Sequence, residues 1–377
     1  MGLILALDQG STKTAALVAT ERGEILGAGS ARGACHASEG MEAAMRAVQE
    51  AALAALKSAG ITAGHLHGPL RPPAAGHPSA PWSPSVPGHP PVPSPTPAPG
   101  STSASQPLPL PAVIDQVCAG MTGADWLHEY PLLQENLRRA TGVAWVTVVN
   151  DCIAARRAGS DRPWGSVVCA GTGLNVAVTS PEGETYIYGY YIQGDDQGGT
   201  ALGTLALRAV FAAEAGIGPP TRLTGALLRH YGAAAVDELL QRRVAGRLGP
   251  SSELVPLLAA AARAGDEVAL AIVHGFAGRA ARYVTARLER FGMTDLEQDV
   301  VLTGGVFKAG LPGLREGVAA AIARVVPRAR LVDAPYEPVV GALVLALEER
   351  HGVPFALSDP VLAGSARRHG LIRRWSE

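Results

Sequence analysis

The sequence predicts an α/β protein of two domains, each of which begins with a three-stranded β-meander. Two stretches support this prediction, because each contains an apolar strand, a turn of Gly, Ser or Thr, a second strand, a Gly-containing turn and a third strand. The stretches are LILALDQGSTKTAALVATERGEILGAG at 3–29 and SVVCAGTGLNVAVTSPEGETYIYG at 166–189. A length of 377 residues also exceeds what one hydrophobic core usually fills. We interpret the second stretch as a duplicate of the first, although two unrelated meanders would produce the same pattern.

Further strands and helices follow each meander. An amphipathic helix is predicted over 38–60, with Ser38 as its N-cap and Gly60 at its end. Buried strands are predicted in AVIDQVCAG, WVTVVND and QDVVLTGG, each of which ends in Gly or Asp. Ligands of α/β sheets collect where the strand ends open into loops. We therefore expect functional residues at these strand ends.

The predicted domain boundaries follow this order of elements. The N-terminal domain spans 1–150, and the C-terminal domain spans 151–337. A helix at about 338–350 is expected to pack back on the N-terminal domain, and 356–377 is a tail. A segment at about 61–112, which holds 16 of the 29 prolines, interrupts the N-terminal domain. Its composition predicts a disordered or polyproline-like insertion, and its histidines lack the acidic partners of a typical metal site.

Composition and charge restrict the partners and the compartment. Charged residues make up 17% of the chain and the formal net charge is −1, so no global basic field attracts nucleic acid or an anionic membrane. The first ten residues, MGLILALDQG, have no basic segment of the kind that begins a signal peptide. The four cysteines are far apart and form no CxxC pair, which is typical of buried thiols in a reducing cytosol. We therefore expect a cytoplasmic protein with a small-molecule partner.

The first turns of the two meanders contain residues suited to phosphate. The motif DQGSTKT follows the first strand, and CAGTGLN contains the corresponding turn of the second meander. Glycine and small hydroxyl residues let backbone amides approach an anion closely. The chain contains no GxxxxGK[ST] motif, which disfavours a P-loop enzyme.

Five motifs occur in the order that one family shows. They are DQGSTKT, VVND, CAGTGLN, GDDQGG and VLTGGVF, and EPVVGALVLAL comes after them. In this order the chain resembles the BadF/BadG/BcrA/BcrD-type ATPase and N-acetylglucosamine kinase family, which belongs to the actin-like superfamily of sugar kinases. The resemblance extends over most of the chain outside the proline-rich insertion and the C-terminal end.

The resemblance implies two actin-like (ribonuclease H-like) domains that bind ATP, Mg²⁺ and a sugar in the cleft between them, and we also expect a homodimer. The first loop would face the β- and γ-phosphates, the second would close on them, and the double glycine would lie beside adenosine. The residues implied to bind the nucleotide are Asp8, Gly10, Ser11, Thr12, Lys13, Gly171, Thr172, Gly173, Gly304 and Gly305. The residues implied to contact the sugar are Asn150, Asn175 and Asp195, with Asp196 as an alternative to Asp195.

Two aspartates have the most specific implied roles. Asp8 would associate with Mg²⁺ through a bound water, since Mg²⁺ prefers oxygen ligands and keeps several waters; the alternative is a turn-forming residue. Asp151 would be the general base that accepts the proton of the sugar hydroxyl; the alternative, compatible with catalysis, is an N-cap of the helix that follows. Lys13 is either a phosphate contact or a solvated strand residue.

The implied function is an ATP-dependent kinase of an amino sugar, such as N-acetylglucosamine or glucosamine, or of a related hexose. The sugar stays open, because Cys35 and His36 occupy the place of a family Asn, and YGYYIQ replaces the usual Trp-Gly before Gly-Asp. One alternative is an ATPase of the same family that activates an acyl-CoA dehydratase or reductase, which needs exposed cysteines for a shared iron–sulfur cluster. Another is a catalytically silent nucleotide or sugar sensor.

Overall fold

A computed structural model describes residues 2–61 and 114–373 of the chain. The described residues form two compact units. The first contains the residues up to 163 together with 181–186 and 336–372, and the second contains 164–180, 187–335 and Arg373. The ten strands are β1 (Leu3–Gln9), β2 (Lys13–Thr20), β3 (Ile25–Arg32), β4 (Ile114–Met121), β5 (Trp145–Asn150), β6 (Gly165–Ala170), β7 (Leu174–Thr179), β8 (Thr185–Ile187), β9 (Gln298–Thr303) and β10 (Ala329–Asp333).

The two sheets have the same topology. The first has the order β3-β2-β1-β4-β5, and the second has the order β8-β7-β6-β9-β10. In the first sheet β1, β2 and β3 pair antiparallel as a meander, whereas β1, β4 and β5 run parallel. In the second, β6 pairs antiparallel with β7 and parallel with β9, which is parallel to β10. Each meander thus begins a mixed sheet of five strands, as the sequence predicts.

Thirteen α-helices are present in the described residues. In the first unit they are α1 (His36–Glu39), α2 (Met41–Ser58), α3 (Tyr130–Thr141), α4 (Asp151–Arg157), α12 (Pro338–His351) and α13 (Pro360–Arg368). In the second unit they are α5 (Gly198–Glu214), α6 (Leu223–Tyr231), α7 (Val236–Val244), α8 (Val255–Arg263), α9 (Glu267–Arg290), α10 (Gly305–Lys308) and α11 (Leu314–Ala323). No helix in the described ranges is long and apolar enough to cross a membrane.

The helix predicted over 38–60 is divided into α1 and α2, so Ser38 is not its N-cap. Gly40 separates the two helices with φ 90° and ψ 157°, a left-handed conformation that glycine adopts without a steric penalty. Ser38 therefore lies inside the short helix α1, and α2 begins at Met41. Gly60, at φ +71°, follows the end of α2 as predicted.

Helices cover both faces of the first sheet, which explains why its central strand is almost entirely apolar. Helices α2 and α3 contribute to a core cluster that includes Leu5 and Leu7 of β1. On the other face α12 packs against β1, β4 and α4. The Gln116 amide of β4 donates a hydrogen bond of 3.1 Å to the Ala346 carbonyl of α12. This packing fixes α4, and the residues at its start, against the sheet.

Two features near the predicted boundaries differ from a simple division of the chain. Helix α4 lies in the first unit, although the sequence analysis begins the second domain at 151, because α4 packs on α12 and β4. The predicted tail contains α13, which the Ser365 hydroxyl anchors by accepting a hydrogen bond of 3.1 Å from the Ile25 amide of β3. The predicted domain limits stay a prediction. The proline-rich insertion lies outside the described residues, apart from its first residue.

Candidate active site

The carboxyl ends of three adjacent parallel strands meet at one edge of the first sheet. Gln9 at the end of β1 pairs in register with Met121 at the end of β4, and Met121 pairs with Asn150 at the end of β5. Neighbouring strands are spaced at about 4.8 Å, so the ends of β1 and β5 lie roughly 10 Å apart at the backbone. Residues in the loops after these strands can therefore act on one ligand.

The first predicted phosphate loop is a tight turn at this edge. The Gly10 amide donates to the Lys13 carbonyl at 3.0 Å, and the Gly33 amide donates to the Thr12 carbonyl at 3.0 Å. The side chains of Ser11, Thr12 and Lys13 are exposed, whereas Asp8 is half-buried at the strand end. The loop thus presents two hydroxyls and an ammonium group to solvent, with a carboxylate beside them.

The predicted substrate residue Asn150 holds the start of α4. Its Oδ1 accepts a hydrogen bond of 2.9 Å from the Cys152 amide, which makes Asn150 the N-cap. Its Nδ2 donates to the Ala124 carbonyl at 3.2 Å and to Asp125 Oδ1 at 2.8 Å. The alternative role of Asp151 as the N-cap is therefore wrong, because the preceding residue fills that position. Asp151 is instead the first residue of the helix.

The Asp151 carboxyl is half-buried, and its pKa is raised to about 6 from an ordinary value of 3.8. Burial is the main cause, and the charge of Asp125 adds to it. Hydrogen bonds from the Cys152 amide and the Thr122 hydroxyl oppose the shift. A carboxylate with this pKa is ionised at pH 7 and is a better proton acceptor than an ordinary aspartate.

Gly120 allows α4 to approach the sheet at this point. A β-carbon at residue 120 would lie 2.9 Å from Ala154 Cβ and 3.4 Å from Asp151 Cα. The predicted strand AVIDQVCAG ends at this glycine, one residue before β4 itself ends. Any larger residue would push the first turn of α4, and Asp151 with it, away from the strand end.

The second predicted phosphate loop is in the second unit, between β6 and β7. The Gly171 amide donates to the Gly173 carbonyl at 2.9 Å, which closes the turn. The first turn of α5 braces it, since the Gly199 and Thr200 amides donate to the carbonyls of Gly171 and Thr172 at 2.8 and 2.9 Å. No described atom lies within 4 Å of a β-carbon built at Gly171 or Gly173. Neighbouring protein atoms therefore do not require glycine at these two positions.

The double glycine after β9 contains two different glycines. Gly304 has φ +104°, and a β-carbon there would overlap the backbone of Ala170 at the end of β6. Gly305 begins α10, and no described atom lies within 4 Å of a β-carbon placed there. Packing between neighbouring strands therefore requires the first glycine whether or not a nucleotide is bound.

The remaining predicted sugar residues are also in the second unit. Asn175 Oδ1 accepts hydrogen bonds from the Val176 and Gly189 amides at 2.8 and 2.9 Å. Asp195 pairs with Arg208, Nη1 to Oδ1, at 2.9 Å and is half exposed. The alternative residue, Asp196, lies 2.6 Å from Arg279 Nε and accepts a hydrogen bond of 2.7 Å from the Tyr283 hydroxyl.

The pair Cys35–His36, which the sequence analysis expects where the family has an Asn, borders the edge of the first sheet. Cys35 Sγ lies 3.8 Å from the Thr122 carbonyl oxygen, and His36 Nε2 lies 3.8 Å from Glu129 Oε1. Burial lowers the pKa of His36 and raises that of Glu129, so both shifts favour the neutral forms. Both partners, Thr122 and Glu129, follow β4, in a segment that was not predicted to be part of the site. The position of this segment after a predicted buried strand is the feature of the sequence that could have indicated it.

The fold is shared with several solved structures of kinases. A candidate N-acetylglucosamine kinase of Chromobacterium violaceum matches with a TM-score of 0.62 and 21% identity over 92% of this chain and 99% of the other. A candidate N-acetylglucosamine kinase of Porphyromonas gingivalis matches with a TM-score of 0.60 and 19% identity over 94% of this chain and 100% of the other. A ROK-family glucokinase of Streptomyces griseus was solved with glucose and AMPPNP. It matches with a TM-score of 0.54 and 18% identity over 93% of this chain and 100% of the other. The predicted fold class is thus confirmed.

Sequence similarity places the chain more narrowly. The chain belongs to the BadF/BadG/BcrA/BcrD ATPase family, whose sequence model matches residues 5–346. An N-acetyl-D-glucosamine kinase of Dictyostelium discoideum is 25% identical over 246 residues, which are 63% of this chain and 76% of that protein. The family predicted from the five motifs is therefore confirmed. The site residues and the cleft stay predictions.

Proposed function

We propose that the protein is an ATP-dependent kinase that phosphorylates a hydroxyl of an amino sugar, such as N-acetylglucosamine or glucosamine, or of a related hexose. The observation that carries the proposal is the half-buried Asp151 carboxylate at the end of β5, with a pKa near 6. Membership of an ATPase family and similarity to an N-acetyl-D-glucosamine kinase support the nucleotide and the acceptor class.

In the proposed reaction Asp151 accepts the proton of the attacking sugar hydroxyl. The hydroxyl oxygen forms a bond to the γ-phosphorus, the bond from that phosphorus to the β–γ bridging oxygen breaks, and ADP leaves. A positioned general base contributes about 10²- to 10⁴-fold to such a step. The loops 10–13 and 171–173 would hold the phosphates through backbone amides, hydroxyls and Lys13, and Gly304 and Gly305 would lie beside adenosine.

Asp8 suits the proposed association with Mg²⁺. It is a half-buried carboxylate at the end of β1, beside the exposed hydroxyls of Ser11 and Thr12. Mg²⁺ is usually held by one or two carboxylates together with substrate phosphates, so a single protein carboxylate and ATP form a typical donor set. When bound, the ion would offset phosphate charge. Asp8 would orient it through a water molecule.

The cysteines give the activator alternative little support. Cys35, Cys118 and Cys152 are buried, and Cys169 is half-buried. A cluster shared between two subunits needs exposed thiolates, and burial raises the pKa of Cys118 far above its usual range. The silent-sensor alternative needs only the fold, but it assigns no purpose to the basic carboxylate at Asp151.

A coupled ADP-release assay over a panel of amino sugars and hexoses tests the function. We expect release that depends on both one sugar and Mg²⁺, with stoichiometric sugar phosphate detected by mass spectrometry. Sugar-independent ATP hydrolysis together with a visible-absorbing cluster would instead support the activator. Sugar or nucleotide binding without any turnover would support the sensor.

The homodimer and the cytoplasmic location are also proposals. Light scattering on the purified chain measures the oligomeric state directly. A monomer at micromolar concentration would contradict the expected dimer without affecting the catalytic proposal.

A further inference from the structure

The structure assigns a second functional carboxylate to this site. We propose that Asp125, held by Asn150, accepts a hydrogen bond from a sugar hydroxyl next to the one that Asp151 deprotonates. The inference rests on the proposed function and adds a specificity-determining residue on a loop that no motif marks.

The position of Asp125 follows from the sheet. Thr122 is the first residue after β4, and its amide donates to the Gln9 carbonyl of β1 at 2.8 Å. The Thr122 hydroxyl hydrogen-bonds to Asp151 at the end of β5. The loop from Thr122 to Asp125 is therefore tied to both neighbouring strands at the edge where the predicted phosphate loop and base lie.

Asn150 connects the two carboxylates rigidly. Both polar atoms of its fully buried side chain are engaged, Oδ1 with the Cys152 amide and Nδ2 with the Ala124 carbonyl and Asp125 Oδ1. The backbone of Asn150 continues directly into Asp151. A buried amide with three hydrogen bonds fixes Asp125 relative to the base more firmly than a surface contact would.

The two carboxylates are close enough to influence each other. Burial is the main cause of the raised pKa of Asp151, and the charge of Asp125 adds to it. Burial also raises the pKa of the nearby Tyr130 hydroxyl, and the charges of Asp125 and Asp151 both add to that shift. Asp125 and Asp151 are each only partly buried, so neither residue is sealed inside the core at this edge. Repulsion between two like charges that the fold holds close together lowers the stability of the folded protein. A purely structural role would give no reason to keep both carboxylates.

The chemistry of a hexose suits such a pair. Adjacent ring hydroxyls are donors, and ionised carboxylates are acceptors only. Asp151 would accept the proton of the hydroxyl that reacts, and Asp125 would accept a hydrogen bond from the neighbouring hydroxyl. The second contact would orient the sugar and thereby the reacting oxygen. A hydrogen bond to a charged group contributes more than one between neutral groups, so losing it should weaken sugar binding roughly 10- to 100-fold.

The test compares Asp125→Asn with the wild-type chain in turnover and in binding. We expect the KM for the sugar to rise roughly 10-fold or more while the KM for ATP changes less than about twofold. Single-deoxy analogues of the sugar should identify one hydroxyl whose removal costs the wild type affinity but costs the variant almost nothing, the non-additivity of a direct contact. Asp237→Asn, on the exposed face of α7, is the matched control.

Calorimetric titration of the sugar, without ATP, separates this inference from the proposed function. Sugar binding that Asp125→Asn weakens supports the inference even if the wild type never turns over. Turnover in the wild type with an unchanged sugar KM in the variant overturns the inference alone. Parallel increases in both KM values with a lower melting temperature would assign Asp125 a structural role and overturn it, and a wild type that binds no sugar overturns both.

Discussion

The two sheets share one strand order but carry opposite chemistry at corresponding strand ends. Three half-buried aspartates lie at strand ends of the first sheet: Asp8 in β1, Asp125 in the loop after β4 and Asp151 at the start of α4, directly after β5. In the second sheet the ends of β6 and β9 carry glycines and a threonine, and Asp333 at the end of β10 pairs with Arg315 at 3.1 Å. Carboxylates suit a metal ion and a proton acceptor, whereas a loop that holds phosphate through its backbone benefits from their absence.

The comparison teaches that topology and chemistry are separable in this protein. A repeated strand order produces equivalent positions, but the residue at each position decides whether it can bind an anion or accept a proton.

The largest effect is expected at the base. Asp151→Asn should lower kcat by about 10²- to 10⁴-fold while ATP affinity stays within a few fold, because the amide cannot accept the proton. The matched change Asp333→Asn should leave kcat nearly unaltered, since this carboxylate is already ion-paired. Steady-state kinetics and nucleotide titration of both variants measure the difference. A comparable loss of kcat in the two variants would contradict the proposal that Asp151, and not Asp333, acts as the base.

A smaller loss is expected from Gly120→Ala. The added methyl group would lie 2.9 Å from Ala154 Cβ, so α4 must shift and carry Asp151 with it. We expect a destabilisation of about 1–3 kcal/mol and a lower kcat. Gly278→Ala in α9 is the control, because no described atom outside the adjacent backbone of α9 lies within 4 Å of its β-carbon and alanine favours a helix. Denaturant unfolding and kinetics on both variants would show whether the close approach matters.

The glycines of the second unit should separate binding from folding. Gly304→Ala should destabilise the protein by about 1–3 kcal/mol, because φ +104° and the Ala170 backbone both oppose a side chain. Gly171→Ala should leave stability nearly unchanged but raise the KM for ATP. Melting temperatures of both variants, measured with and without nucleotide, distinguish a loss of stability from a loss of nucleotide binding. A Gly171→Ala variant that binds ATP normally would contradict the proposed phosphate contact.

The smallest effect concerns pH and stability. Because the pKa of Asp151 is raised to about 6, the folded state holds this proton more tightly than the unfolded chain between pH 3.8 and 6. Wild-type stability therefore falls as pH rises through this window, and Asp151→Asn should be more stable by on the order of 1 kcal/mol above pH 6. The advantage should vanish below pH 3.8. An equal melting temperature for the two proteins at pH 8 would argue against a raised pKa at Asp151.

Much of the fold was predictable because it depends on local patterns. Apolar strands separated by Gly-containing turns predicted both meanders, and the segment VVND predicted the strand end at Asn150 and Asp151. The start of α2 was not predictable in the same way, since Ser38 is a good N-cap by type but Gly40 adopts the left-handed conformation that separates the helices. Residue type indicates which residues can cap a helix, but the backbone conformation decides where the helix begins.

The candidate site was only partly predictable. The sequence places Asp8 and Asp151 at strand ends, but the Asn150 side chain turned out to bridge Cys152, Ala124 and Asp125. Asp125 lies in TGAD, a short run with ordinary turn residues, so no local pattern distinguishes it. Its hydrogen-bond partner Asn150 lies at the end of β5, 25 residues further along the chain.

By itself the sequence determined the two meanders, the strand ends and the family, because periodicity and motif order are properties of neighbouring residues. Only the tertiary structure decided why Gly120 and Gly304 must be glycine and which carboxylate lies beside Asp151. These features arise from contacts between segments that are distant in sequence. The electrostatic environment that raises the pKa of Asp151 exists only after β1, β4 and β5 have brought their ends together.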